Sequence, residues 1–175
     1  CRKACLTTAG RNQASNASNA RDWRTQLLLE APGVFRDKLY AELAKVQRED
    51  GAARLNALSD LAWERIWPDM FDEFPRIQFY DYTKRWQRIE LPRNYDLTYS
   101  IKTWWGFSIR FANPSMRFAG VVSEGHHYWE RDAMFGRKFV DGDLHDYRPD
   151  DPVRSLVLLR PKGAARNLKR GGFIL

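Results

Sequence analysis

Apolar residues recur at helical spacing twice in the first third of the chain. Trp23, Leu27 and Leu28 mark one amphipathic helix over Ser15 to Glu30, and Pro32 opens a second in which Val34, Phe35, Leu39, Leu43 and Val46 share a face. Both stripes read as core. "AARLN" (52–56) is short and partly apolar, and the polar turn "ALSD" follows it. Leu61 to Phe74 then reads as helix despite Pro68 near its middle, giving a strand followed by a helix.

The same alternation continues. "RIQFYDY" (76–82), "YDLTYS" (95–100), "MRFAGVVS" (116–123) and "RSLVLLR" (154–160) read as strands, "RKFVDGD" (137–143) as a further one, and Thr103 to Phe111 as a helix between the second and third. Apolar strands separated by helices predict an α/β fold of parallel βα repeats, either an open sheet or a partial or distorted TIM-like barrel of about six strands. No internal repeat and no low-complexity tract interrupts the chain.

The carboxyl ends of these strands are polar: Asn56, Ser59 and Asp60; Asp81, Thr83 and Lys84; Thr98 and Ser100; Ser123 and Glu124; Asp141 and Asp143; Arg160 and Lys162. Parallel α/β sheets and barrels place their active sites at that end, so one shared pocket would collect these side chains. Strands also turn polar simply on leaving a core, and the pattern alone raises the odds of a site only modestly.

Composition changes this picture little. With 175 residues, 43% apolar and 14% aromatic, the chain can bury a substantial core as a single domain over residues 1–175. Lys and Arg outnumber Asp and Glu by 29 to 22, a formal charge of +7 that favours a polyanionic partner such as nucleic acid, with a solvated basic surface as the equal alternative. No apolar run is long enough to cross a bilayer and no signal peptide is evident, so a cytoplasmic protein without a membrane partner is expected.

The strings "ARLNALSDLAWERI", "FPRIQFYDYTKR", "LPRNYDLTYS", "VDGDLHDYRPDDP" and "VLLRPKGAAR", together with the opening "CRKACLTTAGR", resemble in this order a family of phage and prophage proteins of unassigned activity, the gene-product-88 type. The likeness runs from Cys1 to about Phe173. Departures are Ala57 where the family tends to glycine, Asp96 where it tends to histidine, and the tryptophan-rich stretches around Trp104, Trp105 and "SEGHHYWERD". Family members usually carry a further upstream cysteine, giving C-P-x(n)-C-x3-C. The resemblance thus implies a native segment before Cys1, a phage or mobile-element setting in a host cytoplasm, and a cysteine-bearing loop.

Cys1 and Cys5 are therefore candidate metal ligands. They are too closely spaced to be the framework of a secreted domain. A cysteine loop after a first strand is loosely similar to the iron–sulfur loop of radical S-adenosylmethionine barrels, which would bring S-adenosylmethionine as co-substrate, although the usual C-x3-C-x2-C spacing is absent. Zinc completed by His126, His127 or His145 is a second reading, and two plain reduced thiols a third.

Asp60, Asp81 and Lys84 are the candidate catalytic residues. Asp60 and Glu64 lie four apart across a strand-to-helix turn, where Asp60 either caps the helix or faces the pocket. Asp81 interrupts an apolar strand and needs a partner, for which Lys84 and Arg54 are at hand. "DGDLHDYRPDD" gathers enough carboxylates for magnesium, but turn formation is the commoner use of such a string. Arg160, Lys162, Arg166, Lys169 and Arg170 would contact nucleic-acid phosphates, with Trp104, Trp105, Phe107, Tyr128 and Trp129 as stacking faces if they are not in the core. An enzyme acting on nucleotides or nucleic acid is the first functional reading. A non-catalytic nucleic-acid-binding or phage interaction protein is the second.

Overall fold

The computed structural model describes residues 5–85, 87–88, 90–101, 116–134, 136–168 and 173–174. Two long helices come first, α1 (Ser15–Glu30) and α2 (Pro32–Arg48). Pro32 separates them because a ring without an N–H is at home in a first helical turn and cannot continue the preceding helix. Pro68 acts in the same way later in the chain. The helix expected over Leu61 to Phe74 is two short ones, α3 (Trp63–Ile66) and α4 (Asp69–Glu73), broken at Trp67 and Pro68.

The strands are β1 (Ala52–Ala53), β2 (Gln78–Thr83), β3 (Tyr95–Ser100), β4 (Arg117–Val121), β5 (Ala133–Met134), β6 (Arg137–Asp141) and β7 (Leu156–Leu159). They form one sheet in the order β1-β2-β3-β4-β7-β6-β5. Every pairing is parallel except that of the short β5 with β6, a hairpin the sequence did not suggest. The parallel α/β architecture is thus as expected. The sheet is open among the described residues, and barrel-like order extends only through β1 to β4. Closure is lost where β7 inserts between β4 and β6, which places β5 and β1 at opposite edges. The helix expected over Thr103 to Phe111 lies outside the described residues.

Side chains alternate across a sheet, so each strand feeds two faces. On one face Phe79 of β2, and Tyr95 and Leu97 of β3, pack with Leu43 of α2, Trp63 of α3 and Met70, Phe71, Phe74 and Ile77. The Phe71 ring lies 4.9 Å from both Phe79 and Tyr95. Further along the same face Tyr99, Phe118, Leu156 and Leu158 form a second cluster with Ile101, Val122 and Tyr128. The other face carries Asp96, Thr98, Arg117 and Ser155 in register, and Arg148 and Asp151 are also buried.

The first helix departs from its expected role. No residue of α1 is fully buried, Trp23 is 54% exposed and Leu29 is 75% exposed. Its apolar stripe is not core, because α1 lies against α2 and the turn before it, one layer removed from the sheet. In α2 only Leu43 is fully buried; Phe35, Leu39 and Val46 are half-buried, and Val34 is largely exposed.

Candidate functional site

A cleft of about 420 Å³ opens at the carboxyl ends of the parallel strands. Its walls come from the 56–60 segment after β1, from Thr83 and Lys84 after β2, from Ser100 and Ile101 after β3, and from Arg160 and Lys162 after β7. The polar strand ends thus converge. Cys5 and Leu6 close one side and Ala165 and Phe173 stand near them. Thr8 anchors that side: its hydroxyl accepts a bond from Ala164 N at 3.0 Å. Gly163 makes the approach possible, since at φ +54° a Cβ there would sit 2.5 Å from the Thr8 carbonyl oxygen.

Asn56 organises the 56–63 wall and is itself buried. Its Oδ1 accepts from Ser59 Oγ (2.8 Å), Leu61 N (3.0 Å) and Trp63 Nε1 (3.2 Å), while its Nδ2 donates to Leu61 O (2.9 Å). This one side chain therefore pins both ends of the turn. On its other side it reaches Asp81, donating from its backbone N to Oδ1 at 2.7 Å and from Nδ2 to Oδ2 at 3.0 Å. Tyr95 Oη donates to the same Oδ2 at 2.8 Å.

Asp81 thus lies beneath the cleft, not in its lining, and is 1% exposed. Burial dominates its protonation and pushes the carboxyl up to about 6, against the lowering effect of the Tyr95 and Asn56 bonds and the more distant Arg54. The expected pairing of Asp81 with Lys84 or Arg54 is not the one found. Arg54 instead donates to Asp146 Oδ2 at 2.6 Å and stacks on Tyr82, because Arg54 follows β1 on the face opposite Asp81. Burial also drives Tyr95 above the ordinary tyrosine range and Tyr82 up to about 12.

Asp60 does face the cleft, but it caps no helix: Ala62 precedes α3 and makes no side-chain cap. Its Oδ1 accepts from Thr83 Oγ1 at 2.7 Å and its Oδ2 from Lys84 N at 2.9 Å, so it caps the end of β2. Arg88 approaches Asp60 at 3.5 Å and holds Glu64 through Nε (2.8 Å) and Nη2 (2.5 Å). Its Nη2 also donates to Tyr95 Oη at 2.9 Å. A continuous path of polar contacts therefore runs from Asp60 at the cleft through Arg88 and Tyr95 to Asp81. Arg88 was invisible as a site residue in the sequence, lying in a stretch with no periodic pattern. Asn56 did carry a signal, as the polar residue that ends an apolar strand.

The basic side of the cleft is largely neutralised. Arg160 Nη1 lies 2.9 Å from Asp141 Oδ1 and 3.3 Å from Asp143 Oδ2, and its guanidinium stacks 4.2 Å from the Trp129 ring centroid. Lys162 Nζ is 2.7 Å from Asp143 Oδ1. Burial would raise the Asp143 carboxyl, but the bonds from Lys162 and Arg160 outweigh it and hold the group below the usual range. Asp143 N also donates to Asp141 Oδ1 at 3.0 Å, the turn-forming use of "DGD". These carboxylates therefore serve Arg160 and Lys162. Arg166 reaches only the Pro161 carbonyl, at 3.4 Å. Lys169 and Arg170 lie outside the described residues, as do Trp104, Trp105 and Phe107.

Cys5 borders the cleft with its thiol held below the ordinary range, chiefly by bonds from Thr7, with Lys84 and Arg21 adding attraction. Cys1 lies outside the described residues. Among those described, no three His, Cys, Asp or Glu side chains are grouped to hold a metal ion, and Cys5 is the single thiol. One thiol is too small a donor set for a cluster or for structural zinc. No helix among the described residues is long and apolar enough to cross a membrane.

Residues 1–174 match the family described as Gene product 88. No curated protein and no solved structure matches the chain.

Proposed function

The chain belongs to the gene product 88 family, a phage-type family of uncharacterised function, and from that premise we propose that it is an enzyme that binds a nucleotide, free or at the end of a nucleic acid, in the cleft at the strand carboxyl ends. The observation that carries this reading is the cleft itself: about 420 Å³, within the size range of small-molecule sites, at the end of a parallel sheet where such sites form. Its lining offers both signs of charge. Lys84, Arg160 and Lys162 suit the phosphate of a ligand, and Asp60, oriented by Thr83 and the Lys84 amide, suits proton transfer. Asp81 takes a supporting role in this reading, since it meets Asn56 and Tyr95 and not the cleft.

The test is calorimetric titration of the protein with adenine, guanine and pyrimidine nucleotides, followed by assay of any binder for turnover. Binding that weakens at least about tenfold in Lys84→Ala, and turnover lost in Asp60→Asn with binding kept, are expected. No binding by any nucleotide would defeat the reading.

The net charge of +7 keeps the second reading, a nucleic-acid-binding protein without catalysis. Salt-dependent affinity for single-stranded DNA or RNA that falls in Arg166→Ala and is indifferent to Asp60→Asn would favour it. We keep the host cytoplasm as the expected location. A cluster or zinc held by Cys1 and Cys5 is tested by iron, sulfide and zinc analysis after anaerobic purification. No step proposed here depends on it.

A further inference from the structure

The Asn56–Asp81 contact does more than fill space beneath the cleft. The residues 56–60 form one wall of the cleft, and Asn56 ties that wall to β2 through both oxygens of a single buried carboxyl. Asp81 has little other cover at this end. Lifting the wall removes its two Asn56 bonds and opens it to water.

We propose that Asn56 and Asp81 form a proton-sensitive clasp: the cleft wall stays seated while Asp81 is neutral and loosens when Asp81 ionises. The direction follows from solvation. A carboxylate sealed under the wall lacks hydration that it regains when the wall lifts, so the anion favours the lifted state and the neutral acid the seated one. The neutral acid also fits the seated geometry. Its carbonyl oxygen still accepts from Asn56 N, and its hydroxyl can donate to Tyr95 Oη, which turns from donor to acceptor. The surrounding groups leave this direction in place. Tyr95 from β3 and Tyr80 from β2 are neutral near pH 7. Arg54 after β1 and Arg88 after β2 attract the anion, but Asp146 neutralises the first and Glu64 and Asp60 the second. Burial outweighs what attraction remains, and Asp81 titrates near 6.

The consequence for ligand binding rests on the nucleotide reading above, but the clasp can be tested without any ligand. Amide hydrogen exchange over residues 56–63, corrected for intrinsic rates and referenced to β7, is followed from about pH 5 to about pH 8. Protection in wild type is expected to fall roughly tenfold across that range, with a midpoint near 6. In Asp81→Asn the protection should be flat. Tyr95→Phe, which removes a donor to the carboxylate, should move the midpoint upward, and this arm stands even if Asp81→Asn does not fold. A pH-independent wild type, an unchanged slope in Asp81→Asn, or a Tyr95→Phe midpoint that stays or drops would overturn the clasp. Failure of nucleotide binding alone would leave it standing, and failure of the clasp would leave the nucleotide reading standing.

Discussion

The two faces of the sheet are held by different physics. Beneath the helices the contacts are apolar and aromatic, with Phe71, Phe79, Tyr95 and Leu97 packed against α2, α3 and α4. On the opposite face the buried side chains are polar and paired. Arg117 forks onto Asp96, Arg148 lies 3.0 Å from Asp151 Oδ2 and also reaches His145, and Arg54 meets Asp146. Arg148 has no exposed surface at all. The apolar face can tolerate changes of shape at a graded cost, whereas an ion pair out of water depends on both members being present.

Truncation on the apolar face is expected to have the largest effect. Phe79→Ala should lower the unfolding free energy by about 4 kcal/mol in urea titration, from lost burial and the cavity left under Phe71. On the polar face Arg148→Met should cost roughly 3 kcal/mol, because Asp151 then stays buried without its counter-charge. The comparison sharpens in the double variant Arg148→Met with Asp151→Leu. Stability should return to within about 1 kcal/mol of wild type, a recovery that no second apolar deletion would produce beside Phe79→Ala. A double variant no better than the single one would break the distinction between the faces.

Asp81 belongs to neither pattern, being a carboxyl on the helical face met by hydrogen bonds and not by a cation. Its folded pKa is raised, so between about pH 4 and about 6 the folded state binds more protons than the unfolded one. Its contribution to stability is therefore fully present at the low end and lost as pH rises through 6. The wild-type unfolding free energy, measured against Asp81→Asn, should fall by roughly 3 kcal/mol across that window and level off above it. At the partly exposed edge the effects should be smallest. Lys162→Ala, which removes one partner of Asp143 while Arg160 remains, should change stability by no more than about 1 kcal/mol.

The elements themselves were readable from the chain. Helical spacing and Pro32 placed α1 and α2 at their observed bounds, and Tyr95–Ser100 is a strand from end to end. Pro68 was visible too, but its power to split a helix was underestimated, since neither four-turn packing nor a partner helix compensates for the missing N–H there. The exposure of Trp23 could not be read from its spacing. A periodic stripe says which residues share a side of a helix, not whether a sheet lies behind that side.

The candidate site divides in the same way. Polar strand ends announced a pocket, and Asn56, Asp60, Thr83, Lys84, Ser100, Arg160 and Lys162 do line one cleft. Their partners were not legible. Asp81 takes Asn56 and Tyr95, Arg54 takes Asp146, and the "DGD" carboxylates take Arg160 and Lys162.

By itself, then, the sequence determined the local elements, the parallel α/β class and the end of the sheet where polar groups collect. Periodicity and proline act over a few residues and need nothing distant to be present. Only the tertiary structure decided that β7 lies between β4 and β6, that the sheet stays open, and which buried charge meets which donor. Those outcomes depend on packing residues far apart in the chain, and burial drives that packing without prescribing a partner; the partner is set by the geometry in which each polar group can be satisfied.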